Sequence, residues 1–209
     1  MTVTELVKHF PDKIVDLPYP KAYPGEGLNP LAIKGIVLGC DPSNFSNKDG
    51  STRELETVFG IEGKGKDKRY FTGILKNLSQ VGLTLENIYV QNLCRNYFTQ
   101  VTSKNKQWNQ AAQLWAATLK KELEDLKIPK SVPVFLTSME LYRALLNSGV
   151  MDDKAEVLYK EAQLLQPIAS KDNLLGRPLF MLFRGGNGKY SLEKWPAYKA
   201  QIHDLLMNV

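Results

Sequence analysis

Four short apolar runs recur along the chain, and longer segments of mixed polarity separate them. The runs contain β-branched and aromatic side chains and are bounded by glycine, proline or polar residues, which is the pattern of a buried strand. They occupy residues 35–39, 88–93, 132–137 and 178–183. The sequence therefore predicts four strands in the interior of the fold.

Segments with helical spacing lie between these strands. Residues 70–81 carry apolar side chains three and four positions apart, and Gly82 follows as a C-terminal cap. Thr137 or Ser138 is placed to cap a helix that continues to Asn147. The other predicted helices span residues 52–59, 107–126, 152–165 and 191–207. Because strands alternate with helices, we expect an α/β fold: a three-layer α/β/α sandwich with a central, mostly parallel four-stranded sheet.

The first 34 residues differ from the rest of the chain. They begin with a short helical segment and continue as a proline-rich connector, in which the fixed dihedral angles and missing amide donors of proline exclude a regular helix. We expect residues 1–34 to wrap the core as an arm. A chain of 209 residues with 43% hydrophobic content can bury one sizeable core, so residues 1–209 are predicted to form a single domain.

Composition excludes several classes of site. No apolar stretch reaches the roughly 18 residues of a membrane span, and the first segment lacks the apolar centre of a signal peptide, so we expect a cytoplasmic protein without membrane association. Cys40 and Cys94 form no Cys-x-x-Cys pair, and His9 and His203 lie far from them in sequence. No metal and no cofactor are therefore expected, and both cysteines are predicted to be buried in the core. We expect a monomer.

The chain is basic, with 27 Lys and Arg residues against 22 Asp and Glu residues. This excess is compatible with a polyanionic partner and is informative where the charges cluster. Lys64, Lys66, Lys68 and Arg69 cluster between and after glycines in a predicted loop. Two interpretations stay open at this point, a contact with nucleic-acid phosphates and a solvated loop.

Polar residues follow three of the four predicted strands. Asp41 comes just after the first strand, Asn92 lies at the end of the second, and Arg184 follows the fourth. The carboxyl ends of parallel strands lie at one edge of a sheet, so these side chains can face one pocket. Each also has a structural interpretation, because Asn92 can satisfy backbone groups and Arg184 can be a surface charge.

The loop after the fourth strand is rich in glycine and positively charged. Gly185 and Gly186 allow close approach of the backbone to a phosphate, while Arg184 and Lys189 add charge and Asn187 adds a polar side chain. This composition predicts a DNA-facing loop. A flexible turn between strand and helix is the alternative.

The order of these motifs resembles that of the uracil-DNA glycosylase superfamily, over about residues 35–206. Residues 39–43, Gly-Cys-Asp-Pro-Ser, look like the first motif of the superfamily in its aspartate form. Phe71 and Gly73 open a predicted helix and are similar to the element whose aromatic ring stacks on the extruded base. Asn92 ends a strand that resembles the one whose asparagine reads the uracil edge. The resemblance implies the uracil-DNA glycosylase-like α/β/α domain.

The resemblance also implies a role for each residue. Asp41 would stabilise the sugar cation that forms as the N-glycosidic bond breaks, and would position the attacking water. The carboxamide of Asn92 would match the pairing edge of uracil. Phe71 would stack on the extruded base, which is worth roughly 1 to 3 kcal/mol, although its place in a helical stripe also suits the core. The other residues of the implied base pocket are Gly39, Cys40 and Ser43.

Two departures separate the chain from the usual pattern of that superfamily. Members usually carry a histidine after the last strand, and here Arg184 stands there, a permanent cation that backbone N–H groups of Gly185 and Gly186 would assist. Ser43 occupies the place of a tyrosine that crowds out the methyl group of thymine. The preference for uracil is therefore less defined than the fold. Two cysteines exclude the iron–sulfur branch, which needs four ligands.

The sequence thus predicts a monofunctional base-excision glycosylase that hydrolyses the bond between uracil, or a related damaged base, and deoxyribose in DNA. No lysine is placed as a Schiff-base nucleophile, so strand cleavage is not expected. Two alternatives stay open. One is an inactive member of the same fold that binds nucleic acid in a salt-dependent manner. The other is an unrelated small-molecule enzyme in which Asp41 is a general base or a ribose ligand, although neither a dinucleotide-binding nor a Walker glycine motif occurs.

Overall fold

A computed structural model describes residues 6, 8–45, 47, 49–62, 66–160, 167–182, 184–185 and 188–209, with the backbone only at residues 66–70. The strands, in chain order, are β1 (Ile14–Val15), β2 (Gly35–Gly39), β3 (Ile88–Asn92), β4 (Tyr97–Phe98), β5 (Val134–Leu136) and β6 (Leu179–Met181). The α-helices are α1 (Lys66–Ser79), α2 (Trp108–Asp125), α3 (Met139–Leu145), α4 (Ala155–Tyr159) and α5 (Pro196–Leu206).

The centre of the fold is a four-stranded parallel sheet with the strand order β3-β2-β5-β6. Every residue of these strands is buried, which fits the apolar runs in the sequence and a sheet covered on both faces. The predicted mixed α/β class and the parallel four-stranded sheet are confirmed, and the arrangement is compatible with an α/β sandwich.

The strand order creates a crevice at the carboxyl edge of the sheet. From β2 the chain crosses to β3 on one side and later returns to β5 on the other side of β2. In open parallel sheets, ligands bind where the direction of winding reverses in this way. The residues that follow β2 and β5, and the last residue of β3, therefore meet at one place.

The arm at the amino terminus lies against the outer strand of this sheet. Strand β1 pairs antiparallel with β4 as a separate two-stranded sheet. Further along, the backbone of Tyr23 exchanges hydrogen bonds of 3.0 and 2.7 Å with Val90 of β3. The arm therefore satisfies part of the exposed edge of β3, which would otherwise present unpaired backbone groups.

The predicted helix over residues 52–59 does not form, and this expectation was wrong. The segment is irregular except for a 3₁₀ turn at Val58–Gly60. Its backbone donors have partners elsewhere, because the amide of Leu55 donates to the hydroxyl of Tyr97 and the amide of Val58 donates to the carbonyl of Lys21. Tertiary hydrogen bonds thus replace the helical ones in this segment.

Other helix boundaries also differ from the sequence expectations. Helix α1 begins at Lys66, so the predicted loop ends earlier than expected, at residues that form helices well. Helix α4 is short, and residues 161–165 of the predicted helix lie outside the described residues. Helix α5 begins at Pro196, which suits a first helical position because it has no amide hydrogen to leave unpaired. The predicted N-cap is confirmed at Ser138, whose Oγ accepts from the amide of Glu140.

A buried asparagine holds the loop after β6 against α1. Asn77 is 1% exposed, and its Nδ2 donates to the carbonyls of Gly185 and Tyr190 at 3.2 and 3.4 Å. Its Oδ1 accepts from the amide of Leu192 at 3.1 Å. One carboxamide thus fixes both ends of the segment that follows the last strand of the sheet.

We expect Asn77→Ala to lower the free energy of unfolding by about 1–3 kcal/mol, because buried backbone groups at the loop would lose their partners. Chemical denaturation of the variant checks this. The matched control is Asn208→Ala, which removes an exposed carboxamide that bonds only to Asp204 in its own helical end. Equal stability of the two variants would contradict the role assigned to Asn77.

Candidate functional site

A cavity of about 630 Å³ opens at the carboxyl edge of the sheet. It is lined by residues that follow β2, β5 and β6, by the last residue of β3, and by two loops, at residues 53–59 and 101–103. Five residues singled out in the sequence line it together: Cys40, Asp41, Ser43, Asn92 and Arg184. The convergence expected from the ends of parallel strands is therefore present in the structure.

Asp41 accepts several hydrogen bonds at the cavity. Its Oδ1 accepts from the amide of Ser43 at 3.0 Å, and its Oδ2 accepts from Thr102 Oγ1 at 2.7 Å and from Trp108 Nε1 at 3.0 Å. Burial raises the pKa of Asp41 above its ordinary value, and these donors act against that rise. The carboxylate is thus held in one orientation inside a poorly solvated site.

Ser43 supports the turn that carries Asp41. The Oγ of Ser43 accepts from the amide of Phe98 in β4 at 2.7 Å, and the side chain also bonds to Asp41. The hydroxyl is therefore engaged by the protein, although Ser43 lines the cavity. This geometry gives Ser43 a positioning role in addition to the place in the base pocket that the resemblance implied.

Asn92 presents an unused carboxamide to the cavity. The residue is 3% exposed, and its backbone amide donates to Oε1 of Gln91. No hydrogen bond from any described residue engages the Asn92 side chain. Buried polar side chains are nearly always hydrogen-bonded, so a carboxamide left open at a cavity is available to a ligand.

Gly39 is the point of closest approach in the site. A Cβ at this position would stand 2.5 Å from Cζ of Phe59 and closer still to Oδ1 of Asn92. The absence of a side chain therefore lets an aromatic ring and a carboxamide lie against the end of β2. Any larger residue at position 39 would displace one of them.

Among the described residues, the aromatic side chain that lines the cavity is Phe59, and this corrects the position proposed for Phe71. Phe71 is 1% exposed in α1 and does not line the cavity, because it belongs to the apolar stripe that packs on the core. Its ring lies 5.2 Å from the ring of Phe59, which does line the cavity. Phe59 has a positive φ of 56°, a conformation that costs a non-glycine residue about 1–3 kcal/mol and is enriched at functional sites. The sequence signal that could have located this aromatic residue is Gly60 directly after Phe59, because glycine marks a turn.

Burial disfavours the thiolate form of both cysteines. Cys40 Sγ lies 3.1 Å from Ser138 Oγ, and burial raises the pKa of Cys40 to about 12. Burial also raises the pKa of Cys94 well above its ordinary value. Both cysteines are free. Cys94 is buried in the core as predicted, whereas Cys40 is half-buried because it lies at the edge of the sheet where the cavity opens. Cys40 contributes shape and a weak polar surface to the cavity.

The residues predicted to contact DNA lie in different parts of the structure. Arg184 is exposed and lines the cavity, and the carbonyl of Gly185 is held by Asn77. Lys189 forms an exposed ion pair with Glu156 at 2.8 Å. Lys66, Lys68 and Arg69 lie in α1 rather than in a loop, while Lys64, Gly186 and Asn187 lie outside the described residues.

Sequence reasoning missed several residues of the cavity. Thr102 and Trp108 hold Asp41, but they lie 61 and 67 residues away from it along the chain, so no local pattern joins them. Glu140 lines the cavity and accepts from Ser138 Oγ at 2.5 Å. Glu140 lies two residues after the predicted N-cap Ser138, and this spacing was the sequence signal that could have identified it. Arg53 lines the cavity from the segment that was predicted to be helical.

Comparison of the sequence with models of known protein families gives no match, and comparison with curated proteins gives none either. Within the described residues, no helix has the length and apolar character needed to cross a bilayer. No group of three or more His, Cys, Asp or Glu residues in the same part of the chain is arranged to hold a metal ion. The function is therefore inferred from the cavity residues themselves.

We expect Asp41 to titrate above the ordinary range of an aspartate, and Trp108→Phe to raise its pKa further, because the variant loses one hydrogen bond to the charged form. Between the ordinary pKa and the raised one, the folded state binds more protons than the unfolded state. This group alone therefore makes the free energy of unfolding fall as pH rises through that interval.

Carboxyl ¹³C chemical shifts measured against pH check this expectation. Asp49 is the internal control, because hydrogen bonds from Ser51 lower the pKa of Asp49 and it lies away from the cavity. The titration of Asp49 should be the same in both proteins. A midpoint for Asp41 that does not move in Trp108→Phe would show that the indole does not tune the carboxylate.

Proposed function

We propose that this protein is a monofunctional DNA glycosylase of the uracil-DNA glycosylase superfamily, which hydrolyses the bond between uracil, or a related damaged base, and deoxyribose. The observation that carries the proposal is the open carboxamide of Asn92 beside the ring of Phe59 and the buried carboxylate of Asp41 in one cavity. The carboxamide and the aromatic ring suit a planar, polar ligand. The carboxylate suits a reaction in which a bond breaks with separation of charge.

The proposed slot for the base lies beside Gly39. Phe59 and Asn92 both approach this glycine, so an aromatic ring and a hydrogen-bonding carboxamide lie next to each other. The carboxamide offers one donor and one acceptor in a plane, which matches the carbonyl and N–H of uracil's pairing edge. The ring of Phe59 replaces stacking that the base loses when it leaves the duplex.

Asp41 acts on the sugar and on water in this mechanism. As the N-glycosidic bond breaks, its electron pair leaves with the base and positive charge develops on the sugar. The Asp41 carboxylate stabilises that charge and orients a water molecule, whose oxygen bonds to the anomeric carbon and whose proton is released to the carboxylate. Thr102 and Trp108 keep the carboxylate in place throughout these steps.

Arg184 replaces the histidine that members of the superfamily usually carry. The departing base is an anion, and a guanidinium offers several N–H donors with a permanent positive charge. Arg184 lines the cavity from the loop after β6, on the same edge of the sheet as Asp41. Because the residue is exposed, solvent weakens its field, so we assign it a smaller contribution than Asp41.

The absence of a histidine among the described lining residues favours one alternative, a nucleic-acid-binding relative without base release. A cavity of about 630 Å³ would also hold a nucleoside-sized molecule, which keeps the small-molecule enzyme as the other alternative. The two alternatives differ in whether the protein binds DNA. Salt-sensitive binding to oligonucleotides is expected of the first and not of the second.

Base release from labelled oligonucleotides that contain uracil tests the proposal. We expect release from single-stranded or duplex DNA by the wild-type chain, and a loss of about 100-fold or more in Asp41→Asn, because the variant removes the charge that stabilises the sugar cation. Asp49→Asn is the matched control, since Asp49 is exposed and does not line the cavity. Thermal unfolding of each variant verifies that it is folded.

The outcomes separate the three functions. Release that falls in Asp41→Asn and not in Asp49→Asn supports a glycosylase. Salt-sensitive binding without release, in every oligonucleotide tested, supports the inactive relative. No binding at low salt overturns both nucleic-acid functions and favours the small-molecule enzyme.

We expect Asn92→Asp to reduce uracil selection, because an ionised carboxylate accepts hydrogen bonds and no longer donates one. The loss should amount to about 1–3 kcal/mol of discrimination between uracil and cytosine. Competition between the two bases in matched oligonucleotides measures it, with the exposed Asn208→Asp as the control. An unchanged ratio of uracil to cytosine release would remove Asn92 from the base slot.

A further inference from the structure

A short turn at residues 101–106 forms part of the mouth of the cavity. Val101 lines the cavity and yet is 40% exposed, which places an apolar side chain at the rim. The 3₁₀ turn Thr102–Lys104 follows it, and the amides of Lys104 and Asn105 donate to the carbonyl of Val101 at 2.9 and 3.1 Å. The turn is therefore held by its own backbone bonds.

The turn also carries unneutralised positive charge. Lys104 and Lys106 are exposed, and within the described part of the chain neither forms an ion pair. By contrast, Lys189 in the loop after β6 is paired with Glu156. Lys104 and Lys106 are therefore available to bind a polyanion at the mouth of the cavity.

The same turn is bonded directly to the proposed catalytic carboxylate. Thr102 lies between the exposed Val101 and Lys104, and its Oγ1 donates to Oδ2 of Asp41 at 2.7 Å. A ligand that presses on the turn therefore acts on the group that holds Asp41. Charge, apolar exposure and this hydrogen bond all occur within six consecutive residues.

We propose that residues 101–106 are the element that contacts the DNA strand, which we call the strand-contact turn. Val101 enters the base stack where the target base has left, and Lys104 and Lys106 neutralise phosphates on either side. Apolar side chains inserted at a base step compensate for lost stacking, and lysines supply the salt-dependent part of binding. The insertion of Val101 rests on the proposed function, because it requires that a target base has left the stack, whereas the phosphate contacts of Lys104 and Lys106 do not.

The first test uses duplex DNA with 2-aminopurine next to a single uracil, because its fluorescence rises when it unstacks. We expect Val101→Ala to reduce the fluorescence rise on binding by at least threefold, and to reduce base release from duplex at least fivefold more than release from the single strand. Leu114→Ala is the matched control, since Leu114 is an equally exposed apolar residue on α2, away from the cavity.

The second test measures how duplex affinity changes between about 50 and 200 mM salt. We expect the double variant Lys104→Gln, Lys106→Gln to reduce the slope of log affinity against log salt by about 2, because two phosphate contacts are lost. The control is Lys120→Gln, Lys171→Gln, which removes the same charge from exposed positions outside the cavity. The control should leave the slope unchanged.

The results distinguish this proposal from the glycosylase proposal. Unstacking and salt response that depend on the turn, without base release by the wild-type chain, would support the strand-contact turn and overturn the glycosylase. Base release in which Val101→Ala and Leu114→Ala behave alike, or in which both lysine pairs give the same slope, would overturn the turn and leave the glycosylase standing. No binding of the wild-type chain to DNA overturns both.

Discussion

The close approach of Phe59 and Asn92 to Gly39 is the constraint on which the candidate site depends. Both side chains occupy space that a Cβ at position 39 would take. Phe59 has a positive φ at this place, and its ring packs against the ring of Phe71. One residue without a side chain, at the end of a central strand, therefore allows an aromatic ring and a carboxamide to share one wall of the cavity.

A second constraint is the need to bury the carboxylate of Asp41. Burial raises the pKa of Asp41, which favours the neutral acid, while hydrogen bonds from three residues favour the charged form. Those donors come from the turn at Ser43, from Thr102 and from the start of α2 at Trp108. The carboxylate thus joins the turn after β2 to Thr102 and to the start of α2, and its protonation is linked to the position of each. Preorganised polar groups of this kind are the usual means of stabilising charge that develops in a reaction.

The sequence allowed the sheet and part of the site to be predicted because both depend on local patterns. Uninterrupted apolar runs identify buried strands, and the residues that follow parallel strands share one edge, so Asp41, Asn92 and Arg184 were expected to meet. The same reasoning failed where one local pattern was compatible with two structures. Phe71 belongs to a helical stripe, and that stripe places it in the core. The segment at residues 52–59 has partners in the arm and in β4, which replaced the helix that its composition favoured.

The sequence by itself thus determined the class of fold, the order of the strands along the chain and the polar residues at their ends. Only the tertiary structure decided which aromatic ring lies at the cavity, which donors hold Asp41, and which lysines stay unpaired at the rim. The physical reason is the range of the interactions. Periodicity and capping act within a few residues, whereas the hydrogen bonds to Asp41 from Thr102 and Trp108 join positions 61 and 67 residues apart. Contacts of that range exist only after the sheet has brought its carboxyl ends together.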